Sequence, residues 1–316
     1  MSDRPLILVN PPPLGTFESP GLNALEDAGF RLWHNKTGVT LTREELIRRI
    51  PDAVGILGGL EPYDAEVLSY AGKLKALARF GVGFDAVDLD AAKAAGVEVT
   101  ISPGANTQSV ADVVMALMTN LSCAIQPNAS EVMNGGWKKT KFPGLYGRDL
   151  GIVGFGRIGR AVAERAGAFG MNILTYDPFV NDVASHTSLA NLIANVDVIT
   201  LHVPATDKPI LDRDALATMR EGAIVINTAR GGLVDENALA EALIDGRLGG
   251  AGLDVFETEP LRDSPLRKAP NIILTPHIAG VSASATRLMA DICADSLLAA
   301  LTGVEVPKER IIVPRS

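Results

Sequence analysis

Short apolar runs alternate with amphipathic stretches along almost the whole chain. The runs PLILVN, RLWHN, AVGILGG, LKALARFG and VEVTISPG read as strands, and helical candidates separate them. Such alternation predicts a parallel sheet covered on both faces, one compact α/β unit over residues 1–100. A second set follows, RDLGIVGFG, MNILTYD, VDVITLHVP, GAIVINTA, GAGLDVF and NIILTPH. Its helical connections include IGRAVAERAGAFG, SLANLIANV and DENALAEALIDGRL. Between the sets, Val110 to Ile125 is apolar at 12 of 16 positions yet carries Asp112 and Asn120, which predicts a buried helix. Ser109 and Asp112 have capping-box spacing and are expected to open that helix at Val110. Residues 134–149, NGGWKKTKFPGLYGRD, are the best candidate for a loop or linker. After NIILTPH, a final helix ending in VPKERIIVP is expected to pack back on the first unit, because too little chain is left for another domain.

Composition narrows the class. The chain has 316 residues, more than a single core usually organises, so two domains are expected. Its net charge of −8 and pI of about 5.1 offer no footprint for nucleic acid or anionic lipid. Leu6 to Val9 is too short an apolar run for a signal peptide, and no segment is long enough to span a bilayer. Cys123 and Cys293 are the only cysteines, each in an apolar helical context. They form neither a disulfide framework nor a metal-binding spacing, so no metal and a reducing cytoplasm are expected.

The stretch LGIVGFGRIGRAVAERAGAFG joins an apolar strand to an amphipathic helix through Gly154, Gly156 and Gly159. The first glycine permits a tight turn, the second lets a pyrophosphate approach the backbone, and the third allows close helix–strand packing. The helix N-terminus supplies free N–H groups and partial positive charge. Asp177 follows Gly159 by 18 residues at the end of NILTYD, where a carboxylate takes the ribose hydroxyls. A carboxylate there repels a 2′-phosphate, and Pro178 and Phe179 supply no arginine, so NAD is expected rather than NADP. The predicted fold class is therefore α/β, two Rossmann-like or flavodoxin-like domains with parallel sheets and a cleft between them. Residues 1–100 plus 284–316 are expected to form one domain and 101–283 the other.

Four charged or ionisable residues follow the later strands: Arg230 after GAIVINTA, Asp254 after GAGL, Glu259 in VFETEP and His277 after NIILTP. Carboxyl ends of parallel strands share one rim, so these side chains are expected beside a bound nicotinamide. Hydride addition to a ketone leaves an alkoxide that needs a proton, and histidine titrates near the operating pH. A carboxylate such as Glu259 favours the imidazolium and orients the ring. Arg230 can take a substrate carboxylate with its fork of donors and polarise the adjoining carbonyl.

In this order and spacing GFGRIG…YD, NTARGGLVDE, LDVFETEP and TPHIAG resemble the D-isomer-specific 2-hydroxyacid dehydrogenases, close to the phosphoglycerate dehydrogenase-like branch. The resemblance covers nearly the whole chain, with ARFGVGFDAVDLDAAKAAGV and SPGANTQSVAD matching in the first half. It implies a catalytic set of Arg230, Glu259 and His277, with Asp254 on the nicotinamide carboxamide. It also implies cofactor contacts from Arg157, Ile158, Thr228, Ala229 and Gly280, and a substrate-carboxylate grip from the amides of Val82 and Gly83. The first domain would then bind substrate and the second NAD, in a hinged homodimer built around the helix after SPGANTQ. The expected reaction is NAD-dependent reduction of a small 2-keto acid to the D-2-hydroxy acid, of the phosphoglycerate, hydroxypyruvate or glyoxylate type. An NAD(H)-sensing, corepressor-like binding protein on the same fold is the alternative.

The match thins in one loop. Phosphoglycerate dehydrogenases carry arginines for the substrate phosphate where this chain reads ILGGLEPYD, and Gly58, Gly59 and Leu60 offer no cation. Lys138, Lys139 and Lys141 could substitute, although a lysine run is more often a solvated face. Formate dehydrogenases of this superfamily pair the histidine with glutamine, so Glu259 argues against formate. His202 is expected to be structural or to line the cofactor, His34 and His186 to lie on the surface, and Arg79 to form a buried ion pair. Trp33 and Trp137 are read as packing residues.

Overall fold

The structure, a computed structural model, describes residues 4–180, 183 and 185–315. It divides into two compact units, one reaching to Asn106 and resuming at Gly280, the other Thr107–Ala279. Residues 101–106 and 280–283 thus lie in the first unit. Ala279 is the last residue bonded into the second: its N–H donates to Asp254 Oδ2 at 2.8 Å, and its carbonyl accepts from Ser109 Oγ at 2.7 Å.

The first unit is built on β1 (Leu6–Val9), β2 (Arg31–His34), β3 (Ala53–Gly58), β4 (Ala76–Arg79) and β5 (Glu98–Thr100), all parallel. The second is built on β6 (Asp149–Val153), β7 (Asn172–Tyr176), β8 (Val198–Leu201), β9 (Ile224–Asn227), β10 (Gly250–Leu253) and β11 (Ile272–Leu274), again all parallel. Their order is β11-β10-β9-β8-β6-β7. The chain runs one way from β6 to β7 and then back from β7 across β6 to β8, which makes a topological switch point at the carboxyl ends of β6 and β8. β8, β9 and β10 are buried throughout, as central strands covered on both faces must be. Each fully enclosed Leu, Ile or Val here contributes about 1.5–3 kcal/mol of transfer free energy.

Three expectations change. The apolar helix runs Thr107–Ser122, so Ser109 lies inside it, buried, and Asp112 pairs with Arg165 Nε at 3.0 Å. The capping-box spacing reflects two tertiary contacts and not a helix start. The loop of residues 134–148 lies within the second unit and links no domains. The last helix, Ala283–Thr302, packs Ala290, Cys293, Ala294 and Leu297 into the first core, then stops at Gly303, whose φ of 81° suits glycine. Beyond it the tail is not helical: β12 (Ile311–Val313) pairs antiparallel with β5 and becomes the edge of that sheet. Its run Ile311, Ile312, Val313 is β-branched, which favours a pleated strand.

Candidate active site

The glycine turn has the geometry its three positions require. Gly154 follows β6 with φ 94°, and a Cβ on it would come 2.4 Å from the carbonyl oxygen of His202. A Cβ on Gly159 would lie 2.1 Å from the carbonyl oxygen of Gly154, so the helix Arg157–Ala168 sits directly on the turn. Gly156, the residue before that helix, faces open space, and a Cβ on it would meet nothing within 4 Å. An exposed backbone cradle at a helix N-terminus fits a pyrophosphate. Arg157 is exposed at the mouth of the turn, whereas half-buried Ile158 packs into the core below. Asp177, after β7, is held beside it: Oδ2 accepts from Phe155 N at 2.7 Å and Oδ1 from Phe179 N at 2.8 Å.

The later strands β9, β10 and β11 are neighbours, and each is followed within three residues by one of the expected residues, Arg230, Asp254 and His277. Arg230 lies three residues past β9 in extended backbone, held by Asn227, whose Nδ2 donates to Arg230 O at 2.8 Å and whose Oδ1 accepts from Ala229 N at 3.0 Å. Thr228 Oγ1 is buried with no hydrogen-bond partner, a polar atom ready for a cofactor contact. Gly231 explains the first glycine after the arginine: its Cβ would lie 1.8 Å from the Phe256 carbonyl carbon. Main chain therefore rests on main chain between the Arg230 segment and the segment that carries Glu259.

Asp254 is fully buried and organises the histidine loop. Its Oδ1 accepts from Thr275 Oγ1 at 2.6 Å and Ile278 N at 2.8 Å, and its carbonyl accepts from His277 N at 3.0 Å. His277 has φ 55°, a left-handed conformation uncommon for a side-chain-bearing residue and a mark of a constrained functional site. Its Nδ1 lies 2.8 Å from Glu259 Oε2, while Glu259 Oε1 accepts from Phe256 N at 3.1 Å. An ionised carboxylate accepts only, so Nδ1 carries the proton toward it and Nε2 is left to exchange one. The Glu259 hydrogen bond raises the His277 pKa above its ordinary value of 6.5, against burial and the opposing charge of Arg230. Burial pushes Glu259 upward, but the His277 bond and charge hold it below the usual carboxylate value. Arg230 acts electrostatically on both, which puts all three in one neighbourhood.

Residues 115–279 match the model of the D-isomer specific 2-hydroxyacid dehydrogenase NAD binding domain. The D-3-phosphoglycerate dehydrogenase of Mycobacterium tuberculosis is 41% identical over 276 residues, 84% of this chain and 52% of that protein. The chain thus spans about half the length of the phosphoglycerate dehydrogenases it matches. A hydroxypyruvate reductase of Thermotoga maritima is 40% identical over 79% of this chain and 86% of its own length. A solved structure from Thermus thermophilus superposes with a TM-score of 0.89 at 39% identity, covering 98% of this chain and 100% of that one.

The chain belongs to the D-isomer specific 2-hydroxyacid dehydrogenase family. Within the family's NAD-binding domain, His202 follows β8, and burial pushes its pKa down to about 3. A ring so reluctant to protonate is no proton donor at neutral pH, and Thr200 Oγ1 sits 3.0 Å from its Nε2. His186 is half-buried: its ring stacks on Tyr176 at 6.3 Å, and its Nδ1 is buried. His34 is half-buried, with Nδ1 2.9 Å from the Leu14 carbonyl oxygen. Trp137 is 80% exposed and packs no core, whereas Trp33 is half-buried under the Arg49 guanidinium. The first unit carries Gly280, whose Cβ would meet Asn106 at 3.2 Å, and the half-buried turn of Val82 and Gly83. Among the described residues, neither of those two amides donates to an acceptor. Sequence reading passed over Asn227, Thr275 and Glu236, which hold Ala229 N, Asp254 Oδ1 and Glu257 N. Asn227 left a trace, a polar residue closing a wholly apolar strand.

Proposed function

We propose that the chain is an NAD-dependent dehydrogenase reducing a small 2-keto acid to the D-2-hydroxy acid. The observation that carries this reading is the His277–Glu259 pair at 2.8 Å, with Arg230 beside it, on adjoining strand ends of an NAD-binding domain. Gly154, Gly156, Arg157, Ile158 and Gly159 hold the pyrophosphate, Asp177 the ribose, and Thr228, Ala229, Asp254 and Gly280 the nicotinamide half. When bound, the nicotinamide supplies the hydride. Arg230 binds the substrate carboxylate in its donor fork and polarises the keto oxygen, aided by the amides of Val82 and Gly83. His277 gives its Nε2 proton to that oxygen as negative charge develops, a contribution of about 10²–10⁴-fold for a positioned acid. Glu259 keeps the imidazolium populated and the ring oriented.

A homodimer in a reducing cytoplasm completes the reading. The helix Ile125–Met133 buries none of its residues, and Met133, Trp137 and Tyr146 are 86%, 80% and 88% exposed, an apolar surface suited to a second copy. Both cysteines are unpaired, as a reducing compartment would leave them. The deciding assay follows NADH oxidation with glyoxylate, hydroxypyruvate, pyruvate and phosphohydroxypyruvate. At least one acid should be turned over, and NADPH should serve poorly because of Asp177. Flat traces with all four, despite NADH binding, would overturn the dehydrogenase and favour a nicotinamide sensor.

A further inference from the structure

The carboxylate that steadies His277 stands on a segment with little to hold it. Glu259 belongs to residues 255–263, which leave β10 and form neither helix nor strand. Phe256 is packed into a core of the second unit and Leu261 lies partly buried against it, but residues 257–260 between them are exposed. Among the described residues, no amide of this segment donates to a main-chain carbonyl. Two of its amides donate to carboxylates instead. Phe256 N donates to Glu259 Oε1 at 3.1 Å, a bond within the segment, and Glu257 N donates to Glu236 Oε1 at 2.7 Å. Only the second of these ties the segment to another element.

Glu236 reaches it from the strand end that carries Arg230. Arg230 leads into a short turn, Gly231–Leu233, after which Asp235 caps the helix Glu236–Ile244, its Oδ1 accepting from Ala238 N at 2.9 Å. Leu233 N donates back to Arg230 O at 3.3 Å and Asp235 N to Leu211 O at 3.0 Å, so the run from 230 to 236 is firmly seated. Gly231 meets the same peptide unit that Glu236 holds. A Cβ on Gly231 would lie 1.8 Å from the Phe256 carbonyl carbon and 2.2 Å from Glu257 N. Main-chain contact limits how near that peptide can come, whereas a hydrogen bond to a carboxylate keeps it from moving away. Peptide 256–257 is gripped in both senses.

A glutamate in the first turn of a helix also suits the positive end of the helix. A solvated side chain would do that with less opposition. Burial raises the pKa of half-buried Glu236, and the nearby Glu257 and Glu259 carboxylates raise it further, against the Glu257 N–H and the Ser264 hydroxyl. What the side chain gains from this position is the short bond to Glu257 N.

We propose that Glu236 is a positioning residue of the catalytic pair: by accepting the Glu257 N–H it draws peptide 256–257 onto Gly231 and so places Glu259, two residues on, within reach of His277 Nδ1. The inference rests on the dehydrogenase reading above.

The test follows reduction of a 2-keto acid that the unaltered chain turns over, across pH, in three variants. Glu236→Ala removes the acceptor, Glu236→Asp keeps the charge on a shorter arm, and Glu236→Gln keeps the length and an acceptor oxygen without the charge. Glu236→Ala should lower kcat about tenfold or more, with KM for the keto acid and for NADH within about twofold. Its falling limb of kcat/KM should also move toward acid, because a Glu259 less firmly placed supports the His277 proton less. Glu236→Gln should bring kcat back to within about threefold and restore the limb, and Glu236→Asp should not. A charge that served only the helix end would give the opposite ranking, with Glu236→Asp near normal and Glu236→Gln as poor as Glu236→Ala, and that ranking overturns the proposal. An unchanged kcat in folded Glu236→Ala overturns it, and so does a loss of kcat with the limb unmoved, since general loosening leaves the His277 titration where it was. Should Glu236→Ala fail to fold, amide hydrogen exchange on the unaltered chain decides. Corrected for sequence, the Glu257 N–H should exchange about tenfold or more slowly than that of Thr258, which has no acceptor among the described residues, and equal rates overturn the proposal. An unaltered chain that binds NADH but reduces no 2-keto acid sinks the dehydrogenase reading and this inference with it, an outcome distinct from an active chain in which Glu236 makes no difference.

Discussion

The two sheets share one strand order and use it differently. In each, the second strand of the set lies outside the first, and the third, fourth and fifth follow on the other side: β2-β1-β3-β4-β5 in one unit, β7-β6-β8-β9-β10 in the other. The sixth position is a parallel β11 in the second unit and the antiparallel tail β12 in the first. Both rims carry an arginine, a glutamate and a further polar ring, yet their solvation is opposite. Arg79, Glu61 and Tyr63 are withdrawn from water, whereas the His277 and Glu259 side chains keep 37% and 32% of their surface exposed. Topology supplies a rim. Which residues stand on it, and how far each is withdrawn from water, decides between a rigid support and a titrating pair.

That contrast breaks most sharply at His277. His277→Asn, a residue that tolerates the left-handed backbone, should lower kcat by about 10²–10⁴-fold while leaving the NADH dissociation constant within about twofold. Turnover near that of the unaltered chain would reduce the exposed pair to a structural one. Next in size is Gly231→Ala. Its methyl would collide with the Phe256 main chain, which cannot give as a side-chain tip can, and a loss of about 1–3 kcal/mol or more should lower the melting temperature by about 5–10 °C. Gly232→Ala, where a Cβ meets nothing within 4 Å, should stay within about 0.5 kcal/mol. Equal melting temperatures for the two variants would refute the main-chain contact. The smallest effect sharpens the electrostatics. His277 is competent for reduction when protonated, so kcat/KM for reduction should fall as pH rises through its raised pKa. Removing the Glu259 charge with Glu259→Gln should move that falling limb toward acid. A limb that stays in place would mean that another group sets it.

Much of this was legible in the sequence because the signals were local. Continuous apolar runs marked β6 to β11, and Gly154, Gly156 and Gly159 each answered to a steric need that a short motif can express. Arg230, Glu259 and His277 stood at strand ends, where a parallel sheet gathers them without knowledge of register. What stayed hidden depended on distant partners. Ser109 resembled a cap because its spacing to Asp112 suits one, but Ala279, 170 residues away, takes its hydroxyl proton. The tail after Gly303 continued a helix on paper, since nothing in Ile311 to Val313 announces an open edge at β5. Trp137 looked like core because tryptophan usually is, while its own side chain lies outside the cores of its unit and Leu145 anchors that loop instead. On the first rim the Tyr63 hydroxyl donates to Glu61 Oε2 at 2.9 Å and accepts from Asn10 Nδ2 at 2.9 Å, with the Arg79 guanidinium carbon 5.9 Å from its ring centre. Those four buried side chains are scattered over about 70 residues, so no motif could show their meeting.

The bare contact of Gly231 with Phe256 and Glu257 has a bearing on how such a chain can vary. Where two loops meet backbone on backbone, as at Gly231, the spacing there is fixed by bond lengths and atomic radii rather than by a side chain. The guanidinium and the carboxylate that steadies the imidazole can therefore hold their separation while the surrounding surface diverges, provided one hydrogen atom is never replaced by a methyl group.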